Sequence, residues 1–147
     1  MTARVPDAIY LVAGSGDDKQ RLSRLAAEKG VGGRVIFAGQ VADVELPGYF
    51  RLADVFAMPS TGEGFGIVYL EAAAAGLPVI ACGRDGSRDA LADGKIGTMV
   101  DPGDSHALAE ALIGGLMGEL PDPTDAVRRF AFGNFCRHVD ELVRNHL

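Results

Sequence analysis

Glu63 and Glu71 stand eight positions apart around a glycine-rich stretch, Ser60-Thr61-Gly62-Glu63-Gly64-Phe65-Gly66. Glycines at alternate positions let a backbone come close to a ligand, and a helix beginning just after them offers unpaired N–H groups and the positive end of its dipole. A diphosphate fits such a place. Glu63 lies in the loop itself, where it can accept hydrogen bonds from a sugar placed beyond the phosphates. Glu71 falls among Ile67, Leu70, Ala74 and Ala75, on a helical face that otherwise favours burial. A carboxylate there needs donors to offset its desolvation, and a ribose diol supplies them. The spacing sets one carboxylate at each end of a single elongated ligand. Singly, such a loop reads equally well as a tight connection, and such a Glu as a residue at the solvent boundary. Within one strand-loop-helix unit the two favour a site.

The elements that must position these residues follow from apolar runs and helical spacing. Ala8 to Ala13 is a continuous apolar run ending at Gly14-Ser15-Gly16, which suits a strand buried on both faces. From Asp17 or Asp18 to Lys29, Leu22, Leu25 and Ala26 mark a helix that stops at Gly30. Arg34 to Ala38 reads as the next strand, Leu46 to Ala53 as a short helix, and Val55 to Met58 as the strand that ends at Pro59. Gly66 to Ala75 is a helix closed by Gly76, Pro78 to Cys82 a strand, and Thr98 to Val100 a last short strand. His106 to Met117 carries an amphipathic stripe, with Asp104 or Ser105 as its cap. The tail from Thr124 reads as terminal helices packed on the domain, with Phe130, Phe135, Val139 and Leu142 as anchors. Such alternation predicts an α/β fold, a doubly wound, mostly parallel sheet with C-terminal helices, whose ligands sit beyond the carboxyl ends of the strands.

With those elements in place, Pro59-Ser60, Glu63-Gly64-Phe65-Gly66, Glu71-Ala72, Ala74, Gly76 and Pro78-Val79 resemble the motif of the retaining GT-B glycosyltransferases of glycogen-synthase-like and mannosyltransferase-like type. The likeness extends from Val12-Ala13-Gly14 through Val35-Ile36-Phe37-Ala38-Gly39 and Ala53-Asp54-Val55 to Gly97-Thr98-Met99-Val100-Asp101-Pro102-Gly103-Asp104. It implies the Rossmann-like donor half of a GT-B fold. By this resemblance Glu71 holds the ribose of a nucleoside diphosphate sugar. Glu63, the catalytic candidate, and the amides near Phe65 and Gly66 meet the transferred sugar, with Gly64 among the donor-binding residues; the amides of Ile67 and Val68 meet the diphosphate, and Gln40 and Val41 border the base. The nucleotide sugar is then a donor substrate, and neither a cofactor nor a metal is expected. Two departures stand out. Where the family usually has Gly-Gly-x-x-Glu, this sequence has Asp85-Gly86-Ser87-Arg88-Asp89, and the family's first strand and helix, with their phosphate-neutralising Arg and Lys, have no counterpart before Ala8. Arg84 and Arg88 are candidate substitutes, though loop arginines are more often merely solvated. The resemblance thus implies one domain over 1–147, lacking the first strand-helix unit and the N-terminal acceptor-binding domain that would be its partner.

Composition bounds the alternatives. A chain of 147 residues, 48% hydrophobic and 23% charged, can build one ordinary core, and its net charge of −6 disfavours nucleic acid as a partner. Cys82 and Cys136 lack metal-ligand spacing, and no stretch approaches the ~20 apolar residues of a transmembrane segment, so a cytoplasmic protein is expected, any membrane contact being made through the missing domain. A dinucleotide-binding oxidoreductase fragment is suggested only by Gly14-x-Gly16, whose third glycine would fall on Lys19. A flavodoxin-like signalling domain needs an aspartate where the third strand ends in Pro59-Ser60. A stand-alone nucleotide-sugar-binding or regulatory module remains compatible with the same residues.

Overall fold

The structure, a computed structural model, describes residues 4–146, and it has the alternating strands and helices expected of an α/β protein. Each pairing between two strands is parallel among the described residues, the arrangement that helical crossovers produce, and one isolated antiparallel bridge joins Gly14 to Gly39. Packing divides the chain into two compact units that meet between Tyr49 and Phe50.

In the first unit, strand β1 (Tyr10–Ala13) is followed by helix α1 (Lys19–Glu28), a 3-10 turn at Gly32–Arg34 and strand β2 (Val35–Gly39). Tyr10 pairs with Val35, and the register shifts between Val12 and Ala13, where Gly14 N–H donates to Gly39 at 2.7 Å. The apolar run does not give a strand buried on both faces. Tyr10 and Leu11 are exposed and only Val12 is half-buried. The physical reason lies in the sheet, which among the described residues has two strands, β1 and β2. A two-stranded ribbon cannot cover its own faces.

Helix α2 (Leu46–Leu52) leads into the second unit, where β3 (Phe56–Met58), β4 (Val79–Cys82) and β5 (Thr98–Val100) form a sheet in that order. The central strand β4 is buried along its whole length, as its unbroken Val-Ile-Ala-Cys run requires. Helix α3 (Ile67–Ala74) packs on β4, burying Tyr69, Ala72 and Ala73. Phe50, Phe56 and Tyr69 stack edge to face, with centroids 5.8 and 6.0 Å apart, so one aromatic row ties α2, β3 and α3 together. A short helix, α4 (Ser87–Ala90), occupies part of what the sequence suggested was loop. Helix α5 (Ser105–Leu116) starts at Asp104, whose carboxylate accepts the N–H groups of His106 and Ala107 at 3.0 and 2.9 Å. The cap falls on the first of its two candidates.

Helices α6 (Thr124–Val127) and α7 (Phe132–His146) close the chain. Here the expected anchoring fails in part. Phe130 is half-buried, whereas Phe135, Val139 and Leu142 are exposed, as is Phe132. Helix α7 carries its apolar residues as a stripe on an otherwise charged helix, so helical periodicity alone could not tell a packed face from an open one. Cys82 is fully buried in β4 and Cys136 half-buried in α7; both are free thiols. Among the described residues, no helix is long and apolar enough to cross a membrane.

Candidate functional site

Beyond the carboxyl end of β3, residues 59–66 form a loop that turns into α3 at Gly66. This residue has φ +84° and ψ 64°, the left-handed conformation, and a Cβ on it would lie 2.3 Å from the Tyr69 ring. Only glycine lets the chain enter the helix at this angle with Tyr69 packed beneath it. The Tyr69 hydroxyl donates to the Met58 carbonyl at 2.8 Å and lies 3.4 Å from Ser60 Oγ. Ser60 Oγ in turn donates to Glu63 Oε1 at 3.2 Å. Burial pushes the Tyr69 phenol above its usual range, so it stays a neutral donor. Glu63, half-buried, is thereby joined to the end of β3 through side chains the fold already holds rigid.

The loop after β4 grips the same segment from the other side. Asp85 Oδ2 accepts the backbone N–H groups of Gly62 and Glu63 at 2.8 and 2.9 Å, while Gly86 N–H donates to the Glu63 carbonyl at 3.0 Å. Asp85 Oδ1 accepts the Ser87 N–H at 3.0 Å and lies 2.6 Å from the Ser87 hydroxyl, which also reaches the carbonyl of Cys82. These donors, the Ser87 hydroxyl foremost and then the Glu63 N–H, hold the Asp85 carboxyl down at about 2. A Cβ on Gly86 would come within 1.9 Å of the Gly64 carbonyl oxygen, so glycine is the residue that allows the two loops to touch.

The candidate residues fall as follows. Glu63 is half-buried, Gly64 and Phe65 exposed, Gly66 and Val68 half-buried and Ile67 exposed, all on the one loop and the first turn of α3. Phe65 rests edge-on against Phe130, with centroids 5.9 Å apart. The N–H groups of Ile67 and Val68 lie in that first turn, where a helix has no internal acceptor for them. Glu71 needs correction. It is exposed, not set in a buried face, because the buried side of α3 is that of Tyr69, Ala72 and Ala73, with Ala74 exposed beside it. Gln40 is exposed and Val41 half-buried; both follow β2 and belong to the first unit. Arg84 pairs with Asp101, and Arg88 with Asp93 at 2.7 Å, each at the surface. Among the described residues no cluster of His, Cys, Asp or Glu is arranged to hold a metal. Sequence reasoning missed Ser60, Tyr69, Asp85 and Ser87. The Asp-Gly-Ser triplet was the available signal for the last two, since an aspartate two residues before a backbone N–H commonly closes an Asx turn.

The profile of the family described as Glycosyl transferases group 1 matches residues 2–124. A GDP-mannose-dependent alpha-(1-6)-phosphatidylinositol monomannoside mannosyltransferase of Mycolicibacterium smegmatis is 41% identical over 142 residues, a match covering 92% of this chain and 35% of that protein. The chain belongs to glycosyl transferases group 1. Solved group 1 and related folds agree in shape. Sucrose-phosphate synthase from Thermosynechococcus elongatus superposes with a TM-score of 0.74 at 30% identity, over 92% of this chain and 37% of that one. The C-terminal domain of a glycosyl transferase group 1 family protein from Francisella tularensis gives 0.73 at 26% identity, over 89% of this chain and 73% of that one. This group 1 chain therefore spans about a third of the length of the mannosyltransferase it matches and most of the isolated C-terminal domain.

Proposed function

We propose that the chain is the donor-binding, C-terminal part of a retaining GT-B glycosyltransferase, which transfers a sugar from a nucleoside diphosphate sugar to an acceptor held by another domain. The observation that carries this reading is Glu63, half-buried on a loop fixed at both sides and followed directly by the open first turn of α3. In this reading the N–H groups of Ile67 and Val68 receive the diphosphate, and the helix dipole stabilises the charge that grows on it as the sugar departs. Glu63, Gly64 and the amides at Phe65 and Gly66 orient the sugar, and Glu71 the ribose. The exposure of Glu71 suits this role, since an uncovered carboxylate keeps its oxygens for a diol. Neither metal nor cofactor takes part. The similarity to the GDP-mannose-dependent enzyme makes GDP-mannose the first donor to try. Free thiols fit action in the cytoplasm, with membrane contact left to the acceptor domain.

Calorimetric titration with GDP-mannose, GDP, UDP and ADP tests the proposal. Binding of at least one at sub-millimolar concentration is expected, and no binding of any at millimolar concentration would sink the reading. Glu71→Ala is expected to weaken nucleotide binding about tenfold, the scale of a hydrogen bond to a charged group. Unchanged affinity would remove Glu71 from the ribose.

A further inference from the structure

Asp85 has no counterpart in the expected roles, yet more of the site's backbone converges on it than on any other side chain described above. Two successive N–H groups, those of Gly62 and Glu63, point at one of its oxygens. Such a pair is the elementary anion cradle of a protein backbone, able to take a phosphate oxygen as readily as a carboxylate. Here it is already filled from within the chain. The other carboxylate oxygen is held by Ser87, which is itself fully buried, so the carboxylate cannot swing away without losing partners on both sides. The Gly86 N–H then takes the carbonyl of Glu63, leaving both backbone polar groups of Glu63 fixed by the neighbouring loop.

We propose that Asp85 is a positioning residue of the donor site: its carboxylate occupies the Gly62–Glu63 amide cradle, which aims the Glu63 side chain at the transferred sugar and leaves the amides at the start of α3 as the place for the diphosphate. This rests on the donor-site reading above. Two consequences separate it from a merely structural role. Replacing the carboxylate by an amide puts an NH2 group against donors on one side or the other, so the cradle opens and Glu63 loses its direction. The loss then falls on the sugar-bearing ligand, because Glu63 meets the sugar, and not in equal measure on the nucleoside diphosphate alone.

The test uses the 147-residue chain and its Asp85→Asn variant, with GDP and GDP-mannose as probes in calorimetry and amide hydrogen exchange followed residue by residue. In the native chain the Gly62 and Glu63 amides should exchange at least about tenfold more slowly than in D85N, as loss of charge-assisted hydrogen bonds requires. The ratio of the GDP to the GDP-mannose dissociation constant should fall in D85N toward that of Glu63→Ala. Fast exchange of both amides in the native chain overturns the clamp without need of a variant. A ratio in D85N equal to that of the native chain, with its exchange raised, overturns the positioning role while the donor reading stands. Failure of the native chain to bind either probe, with its two amides protected, instead removes the donor reading and this role with it. Should D85N not fold, Ser87→Ala, which removes the 2.6 Å contact to the carboxylate, is expected to shift exchange and ratio in the same direction by less. No shift in either quantity would overturn the proposal.

Discussion

At the scale of single residues, the site is held by side chains whose chemistry serves other side chains. Tyr69 and Gly66 are one such pair, since the ring occupies the space that any Cβ at position 66 would need. Gly66→Ala therefore meets both a left-handed backbone and a ring at 2.3 Å, and is expected to cost about 2–4 kcal/mol in denaturant unfolding. A cost under about 0.5 kcal/mol would show that the helix enters differently. Asp85 gives a pH dependence of definite sign. Its folded value of about 2 lies below the ordinary 3.8, so its contribution is complete above 3.8 and is lost as pH falls through about 2. Asp18, Asp93 and Asp122 are lowered as well, so acid alone does not isolate it. The gap in unfolding stability between the native chain and Asp85→Asn should close between about pH 4 and pH 2, and a gap constant over that range would contradict the clamp. Glu63 and Glu71 were legible as candidates because a carboxylate beside glycines, or within an apolar helix, is a chemical anomaly visible in one dimension. Asp85 was not, because its local Asx turn with Ser87 signals only a turn, while the partners that tie it to the site, the amides of Gly62 and Glu63, lie more than twenty positions away and are groups every residue possesses.

At the scale of elements, periodicity and caps carried most of the information. Helix α5 is the clearest case, with its cap at Asp104, one of the two candidates that residue type offered. Asp104→Ala should cost about 1 kcal/mol, whereas Ile80→Ala in the buried strand β4 should cost about 2–5 kcal/mol, both by chemical denaturation. Equal costs would mean that α5 and β4 do not differ in the way their burial indicates. Strand β4 was legible because four apolar residues in succession have no solvent face to offer. The same logic misread β1, whose run is just as apolar but whose sheet has two strands. Apolar sequence records what a strand prefers, and only the number of neighbours decides whether it is covered. Helix α4 was missed for a different reason. It has a single turn, too short for any period to register.

At the scale of the whole molecule, the division between Tyr49 and Phe50 falls inside α2, directly after Pro47-Gly48, which the sequence reading took as part of one short helix. It was invisible to a reading that seeks boundaries between elements. The length ratio to the mannosyltransferase matters more for activity. A chain matching 35% of such a protein is expected to bind donor without transferring sugar, and turnover by the 147-residue chain with any acceptor would refute this. The two thiols differ in a way that makes unit-scale opening measurable. Cys136 is half-buried on α7, while Cys82 is sealed in the central strand, and its carbonyl receives the hydroxyl of Ser87. An alkylating reagent should therefore modify Cys136 promptly and Cys82 only when the sheet parts. Mass spectrometry would then read Cys82 as an internal clock for opening. A donor that binds only the closed form should slow that clock in proportion to its occupancy, so that the chemistry of a residue touching no ligand reports the affinity of the loop beside it.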